Sequence, residues 1–302
     1  MQTIEFDPHA DAVLPSAPGS GVNRCACALH SRRLFTGLLL AAGAGVALAR
    51  EGVEVGGNSK FTNLVPAEKV EAAASLQYRQ MTQEAAEQQA LAPDNHPQVL
   101  RLRAIAKRII PQALPWNPRA RQWHWEVNLI GSKQLNAFCM PGGKIVFYYG
   151  ILKQLQLNDD EVATIMGHEV AHALREHARE RMGKSAATRL GANLISGLLG
   201  LGNVGDAVLG MGSQLVSLTF SRQDESEADL VGMELAARAG YDPAAGVSLW
   251  QKMATASKGA PPQWLSTHPA GPTRIRDIEA NLPKVQPLFE RADKPSRRFE
   301  VA

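Results

Sequence analysis

The stretch His168-Glu169-Val170-Ala171-His172 decides how the rest of this chain is read. On an α-helix each residue advances the chain by about 100°, so His168 and His172 stand about 40° apart on one face. Two imidazoles one turn apart can share a hydrolytic zinc ion, and Glu169, beside them, reaches a water on that ion. The helix has local support: Asn158 supplies a cap, Asp159, Asp160 and Glu161 an acidic first turn, and Val162, Ile165 and Met166 an apolar stripe. The competing reading is an exposed helix that carries two histidines and a glutamate by chance. The choice therefore turns on a third ligand.

One familiar arrangement places a third histidine ten residues after the first, beyond a glycine. Those positions hold Ala178 and Arg175. His177 falls on roughly the opposite side of an unbroken helix from His168, which leaves it a structural role. Downstream, Ser221-Arg222-Gln223-Asp224-Glu225-Ser226-Glu227-Ala228-Asp229 sets Glu225 and Asp229 on one helical face. Glu225 can complete a His, His, Glu set whose fourth position stays open to water. Asp229, one turn on, can accept the outer N–H of a ligand imidazole and set its tautomer. Read alone, the same segment is an acidic helix start favoured by the helix dipole.

Further features follow in order: Asn136-Ala137-Phe138 with Pro141-Gly142-Gly143, Gly240-Tyr241-Asp242-Pro243, and Ser266-Thr267-His268-Pro269 with Arg274. With the two segments above, the chain resembles the zinc metallopeptidase family that includes HtpX and the CAAX prenyl proteases, over about residues 65 to 282. It is most similar to the soluble periplasmic members that act in outer-membrane protein quality control. The resemblance implies a zincin-type (gluzincin) domain with one Zn2+ per chain. It also implies that Glu225, rather than Asp224 or Glu227, is the third ligand. Asn136, Ala137 and Phe138 would lie on a sheet edge that holds an extended substrate beside the zinc; otherwise they belong to an ordinary core strand. His268 either assists the tetrahedral intermediate or occupies the zinc in a resting state; its other reading is a loop histidine, held extended by Pro269.

A chain of 302 residues with 45% hydrophobic content buries a substantial core. Its formal charge of +3, with no aromatic-basic patch, argues against nucleic acid. Residues 1–49 read as a signal peptide: Ser31-Arg32-Arg33-Leu34-Phe35 resembles the twin-arginine export motif, a short Gly-softened apolar run follows, and Ala47-Leu48-Ala49 fits a cleavage site. This predicts a periplasmic protein starting at Arg50; an uncleaved anchor is the alternative. Cys25 and Cys27 would be lost on cleavage, leaving Cys139 as a small core residue.

Residues 50–64 read as a flexible leader, 65–285 as the metallopeptidase domain and 286–302 as a basic flexible tail. Two helices, Glu68 to Gln89 and Pro97 to Ile110, precede strands over Trp123 to Ile130, Asn136 to Met140 and Lys144 to Tyr148. Helices over Pro243 to Ala256 and Pro272 to Leu282 close the domain. The class is α+β, mostly helical, with a small sheet beside the metal helix. Residues 188–219, with seven glycines and Asp206, read as a helical hairpin that packs near the cleft or touches substrate or membrane. No tetratricopeptide-like repeat follows.

The function so predicted is zinc-dependent hydrolysis of peptide bonds in misfolded or unassembled envelope proteins, with Glu169 as general base. The rival is a periplasmic chaperone or assembly factor for outer-membrane proteins with little proteolysis. A structural zinc domain is disfavoured, because structural sites close all four positions with Cys or His. The substrates are proteins or peptides, outer-membrane proteins among them.

Overall fold

The computed structural model describes residues 51–195, 215, 218–257, 263–268 and 273–302, with the backbone alone over 189–195. The segment expected to be an export signal, its expected cleavage site, Cys25 and Cys27, and most of the hairpin expected over 188–219 lie outside the described residues.

Helix α1 (Ala67–Glu87) buries Val70, Ala73, Ala74 and Tyr78, and α2 (Pro97–Ile109) starts on a proline whose missing N–H costs nothing there. Strands β1 (Glu126–Ile130), β2 (Ala137–Met140) and β3 (Lys144–Tyr148) form one sheet in the order β1-β3-β2. β1 runs parallel to β3, and β2 pairs with β3 as an antiparallel hairpin. The hairpin turns at Gly142 and Gly143, with φ of 85° and 77°, a region that side chains rarely enter. A Cβ on Gly143 would also stand 2.7 Å from the Trp125 ring.

The sheet is buried on both faces. Val127, Leu129, Ile145 and Phe147 enter the main core, whereas Ile130, Val146 and Met140 meet Val70 and Tyr78 of α1 in a second cluster. β1 begins later than the alternation suggested. Trp123 and Trp125 precede it, with ring centroids 5.3 Å apart, and Trp125 Nε1 donates to the Ala120 carbonyl.

After α3 (Tyr149–Gln154), α4 (Asp159–Leu174) runs through the centre of the molecule. Its Asn158 side chain caps the Glu161 N–H while the Glu161 carboxylate accepts from the Asn158 N–H, each at 2.9 Å. Every residue from Ile165 to Arg175 is buried, because α2, β2, α6 (Arg222–Arg238) and α7 (Ala245–Ala256) surround the helix. The tightest of these contacts is α4 on α6. A Cβ on Gly167 would stand 2.6 Å from the Gly232 carbonyl, and one on Gly232 would stand 2.6 Å from the His168 nitrogen. Two glycines thus let the helix backbones nearly touch.

Helices α5 (His177–Ile195), α8 (Gln263–Thr267) and α9 (Arg274–Arg291) complete the described residues. α9 runs well past Leu282, through Pro283 and Pro287. Val285 and Leu288 are buried, while Pro283 is exposed and Pro287 half-buried, so water can satisfy carbonyls left without an N–H partner.

The segments expected to be flexible are packed. Before α1, Val53 is buried and donates its N–H to Glu234 at 2.8 Å, and Lys60–Leu64 forms a 3-10 turn against α5. At the other end, Phe299 N–H reaches Asp159 at 2.9 Å, and Arg298 pairs with Asp160 at 2.9 Å. No helix among the described residues is long and apolar enough to cross a membrane.

Candidate metal centre

α4 presents His168 and His172 inward, their Nε2 atoms 3.0 Å apart. α6 supplies Glu225, whose carboxylate lies 3.6 Å from His168 Nε2 and 3.4 Å from His172 Nε2. His268 adds Nδ1, 3.2 Å from His168 Nε2 and 3.0 Å from Glu225 Oε1. All four residues are buried. Four donors held about 2.0–2.2 Å from a tetrahedral zinc stand about 3.3–3.6 Å from one another, close to the spacing here. Facing lone pairs of two imidazoles and a carboxylate, shut away from water, fit a cation and little else.

The first acids of α6 have separate tasks. Asp224 closes the helix start, accepting the Ser221 N–H at 2.8 Å. Glu227 turns to Arg175 at 3.0 Å. Glu225 turns to the inner nitrogens of His168 and His172. Asp229, one turn on, lies 3.0 Å from His168 Nδ1, where it can take the outer N–H of that ring.

Arg274 is the residue whose task the sequence did not reveal. Its Nη1 donates to Glu225 at 2.7 Å, and its Nε and Nη2 donate to Asp229 at 2.5 and 2.8 Å. The guanidinium centre lies 3.9 Å from the centroid of the Trp250 ring. It was visible only as part of the family pattern, without a partner.

Electrostatics follow from this packing. Burial pushes Glu225 upward, but hydrogen bonds from His172 and His268 outweigh it and hold the carboxyl well below the usual range. Asp229 is likewise lowered: its burial is overcome by the charge of Arg274 and the His168 hydrogen bond. Burial drives His172 well below an ordinary histidine, which keeps the ring neutral. For His268 burial works in the same direction, but the neighbouring Glu169 and Glu225 carboxylates raise it.

Glu169, on the side of α4 toward β2, accepts from Trp264 Nε1 at 2.6 Å and lies 3.5 Å from His268 Nε2. A cleft joins Glu169, His172 and His268 to residues 136–141. The Asn136 side chain accepts the Ala137 N–H at 3.0 Å, and Phe138 is half-buried in β2. Cys139 is buried in the core, and burial raises its thiol well above the usual value, which disfavours the nucleophilic thiolate.

Two residues sit differently from the expectation. His268 is no free loop residue: it follows α8 directly, and its N–H donates to the Trp264 carbonyl at 2.8 Å. His177 is not on α4, because that helix ends at Leu174 and Glu176 takes φ of 57°. The turn brings His177 beneath His172, with their Nδ1 atoms 2.9 Å apart. Phe220 stacks on the His172 ring at 4.0 Å.

The helical domain, small sheet and His, His, Glu set with an adjoining glutamate define a zincin-type metal site. Residues 94–282 match the model of peptidase family M48, and the chain belongs to that family. It is 34% identical over 204 residues to the mitochondrial metalloendopeptidase OMA1 of Schizosaccharomyces pombe, covering 67% of this chain and 58% of that one. The OMA1 of Arabidopsis thaliana is 39% identical over 159 residues, 52% of this chain and 32% of the relative. The beta-barrel assembly-enhancing protease of Escherichia coli (strain K12) is 29% identical over 170 residues, 53% and 35% of the two. The chain thus spans between about a third and three-fifths of the length of these relatives.

Proposed function

We propose that this chain is a zinc-dependent endopeptidase acting on misfolded or unassembled envelope proteins. The observation that carries the reading is the cluster of His168, His172, Glu225 and His268 with Glu169 beside it in a cleft that runs to β2. His168, His172 and Glu225 would hold the ion. Zinc supplies Lewis acidity, which polarises a carbonyl and lowers the pKa of water. Glu169 takes the water's proton and passes it to the leaving amine, a role worth about 10²–10⁴ in rate. Trp264 holds the Glu169 carboxylate through its indole N–H, fixing the base in the cleft. Asn136, Ala137 and Phe138 offer a backbone edge to an extended segment, a pairing that reads main chain and not side chains.

Wild-type protein and Glu169→Gln test the reading together. Both should contain one zinc per chain, while the amide variant loses casein hydrolysis by about 10²–10⁴-fold. Undiminished cleavage by Glu169→Gln would remove the base.

A chaperone with little proteolysis draws on one observation: the His268 Nδ1 sits among the metal donors, where substrate and water must enter. In this reading the two activities belong to one protein: His268 would close the site while it stays among the donors, and cutting would need it to withdraw. Export by the twin-arginine route completes the proposal, since that route carries folded proteins with metal in place. Arg32→Lys with Arg33→Lys should leave the precursor in the cytoplasm, as fractionation would show; normal export would point to another route.

A further inference from the structure

Beyond the four donors, a single line of polar side chains leads outward from His172. His172 Nδ1 lies 2.9 Å from His177 Nδ1, and both rings are buried. The opposite nitrogen of His177 faces Glu227 Oε2 at 3.5 Å. Glu227 is held by Arg175, with Nε and Nη2 at 3.1 and 3.0 Å, and Arg175 also donates to the Gly56 carbonyl.

The hydrogens on this line have one consistent order. For His172 to offer a lone pair at Nε2, its hydrogen must be on Nδ1. His177 Nδ1 must then accept, so the His177 hydrogen sits on Nε2, on the side of Glu227, whose carboxylate lies 3.5 Å away, beyond a good hydrogen bond but near enough to favour that N–H electrostatically. That carboxylate can only accept. His168 meets the same requirement directly with Asp229, at 3.0 Å from its Nδ1, with Arg274 Nη2 also 3.3 Å from that nitrogen. If His172 took the other tautomer, an N–H would point at His168 Nε2, and the donor set would be spoiled.

We infer that His177 is a positioning residue of the metal centre, which with Glu227 locks His172 into its ligating tautomer as Asp229 does for His168. This rests on the zinc reading above. The sharp turn at Glu176 has a purpose in this light, since it seats His177 under the ligand instead of on the far side of a longer helix.

The test is zinc affinity of the full chain, by competition with a chromophoric chelator, for wild type, His177→Leu and His177→Asn. Leu and Asn are close in shape, but only Asn places an acceptor where Nδ1 was. Unfolding of the metal-free forms, followed by circular dichroism, shows which chains fold. His177→Leu should bind zinc about 10–100-fold more weakly, and His177→Asn should recover most of that loss. Equal affinity of the Leu variant and wild type, or equal losses for Leu and Asn, would overturn the assignment. Should His177→Leu not fold, Glu227→Leu and Glu227→Gln carry the same comparison at the outer end, where only Gln keeps an acceptor. A weaker Leu variant supports the relay and matched affinities overturn it. Wild-type protein that binds no zinc would overturn the metal centre and the relay together, whereas zinc-loaded wild type matched by His177→Leu would overturn the relay alone.

Discussion

His268 shows how much a single side chain can decide in this site. It reaches the metal donors from outside α4 and α6, directly after a five-residue helix, with the Phe220 and Trp264 rings against its own. A side chain just beyond so short an element can move without unfolding the two long helices that carry His168, His172 and Glu225. Its Nδ1 lies among the donors, 3.2 Å from His168 Nε2 and 3.0 Å from Glu225 Oε1. His268→Ala is therefore expected to raise casein hydrolysis while zinc stays at one per chain, measured by turnover and metal analysis on the same sample. A fall in turnover with zinc retained would instead make His268 a stabiliser of the oxyanion. Loss of zinc would make it an obligatory ligand.

At the scale of elements, the site exists because α4 and α6 cross with almost no space between them. Glu225 and Asp229 reach the histidines across a contact in which Gly167 and Gly232 leave no room for a methyl group. Gly232→Ala should force the helices apart or shift the His168 backbone, costing about 1–3 kcal/mol of stability. Zinc affinity should fall with it, since the donors of α4 and α6 would separate. Urea unfolding of the metal-free chain and chelator competition report the two effects separately. A variant as stable and as zinc-competent as wild type would mean that the crossing is more compliant than its geometry indicates. The ends of both helices were legible beforehand, in Asn158 with Glu161 and Ser221 with Asp224, because capping is a matter of neighbouring residues. The crossing was not legible, since nothing in either segment says which helix its glycine will face.

Over the whole molecule, the N- and C-terminal parts of the described chain fasten the metal helix in place. Arg101 and Asp159 form an ion pair at 2.6 Å, both buried, and the other oxygen of Asp159 accepts the Phe299 N–H. Arg298 on Asp160 is half exposed and contributes little by comparison. Deleting residues 297–302 removes one charge-assisted bond to a buried carboxylate, so stability should drop by about 1.5–3 kcal/mol. An unchanged urea midpoint would show that the segment only lies on the surface.

The sequence by itself determined what depends on residues close together in the chain: the spacing of His168 and His172, the caps of α4 and α6, the glycine hairpin between β2 and β3, and the separation of Glu225 from Asp229. The resemblance of several such segments also indicated the family before any coordinates did. Tertiary structure alone decided that Arg274 braces Glu225 and Asp229, and that His177 lies under His172. It also decided that residues on either side of the predicted domain are packed and not free. The reason is physical. Caps and periodicity arise from backbone groups a few residues apart, whereas a lone polar residue acquires its task only from the partner that long-range packing brings to it.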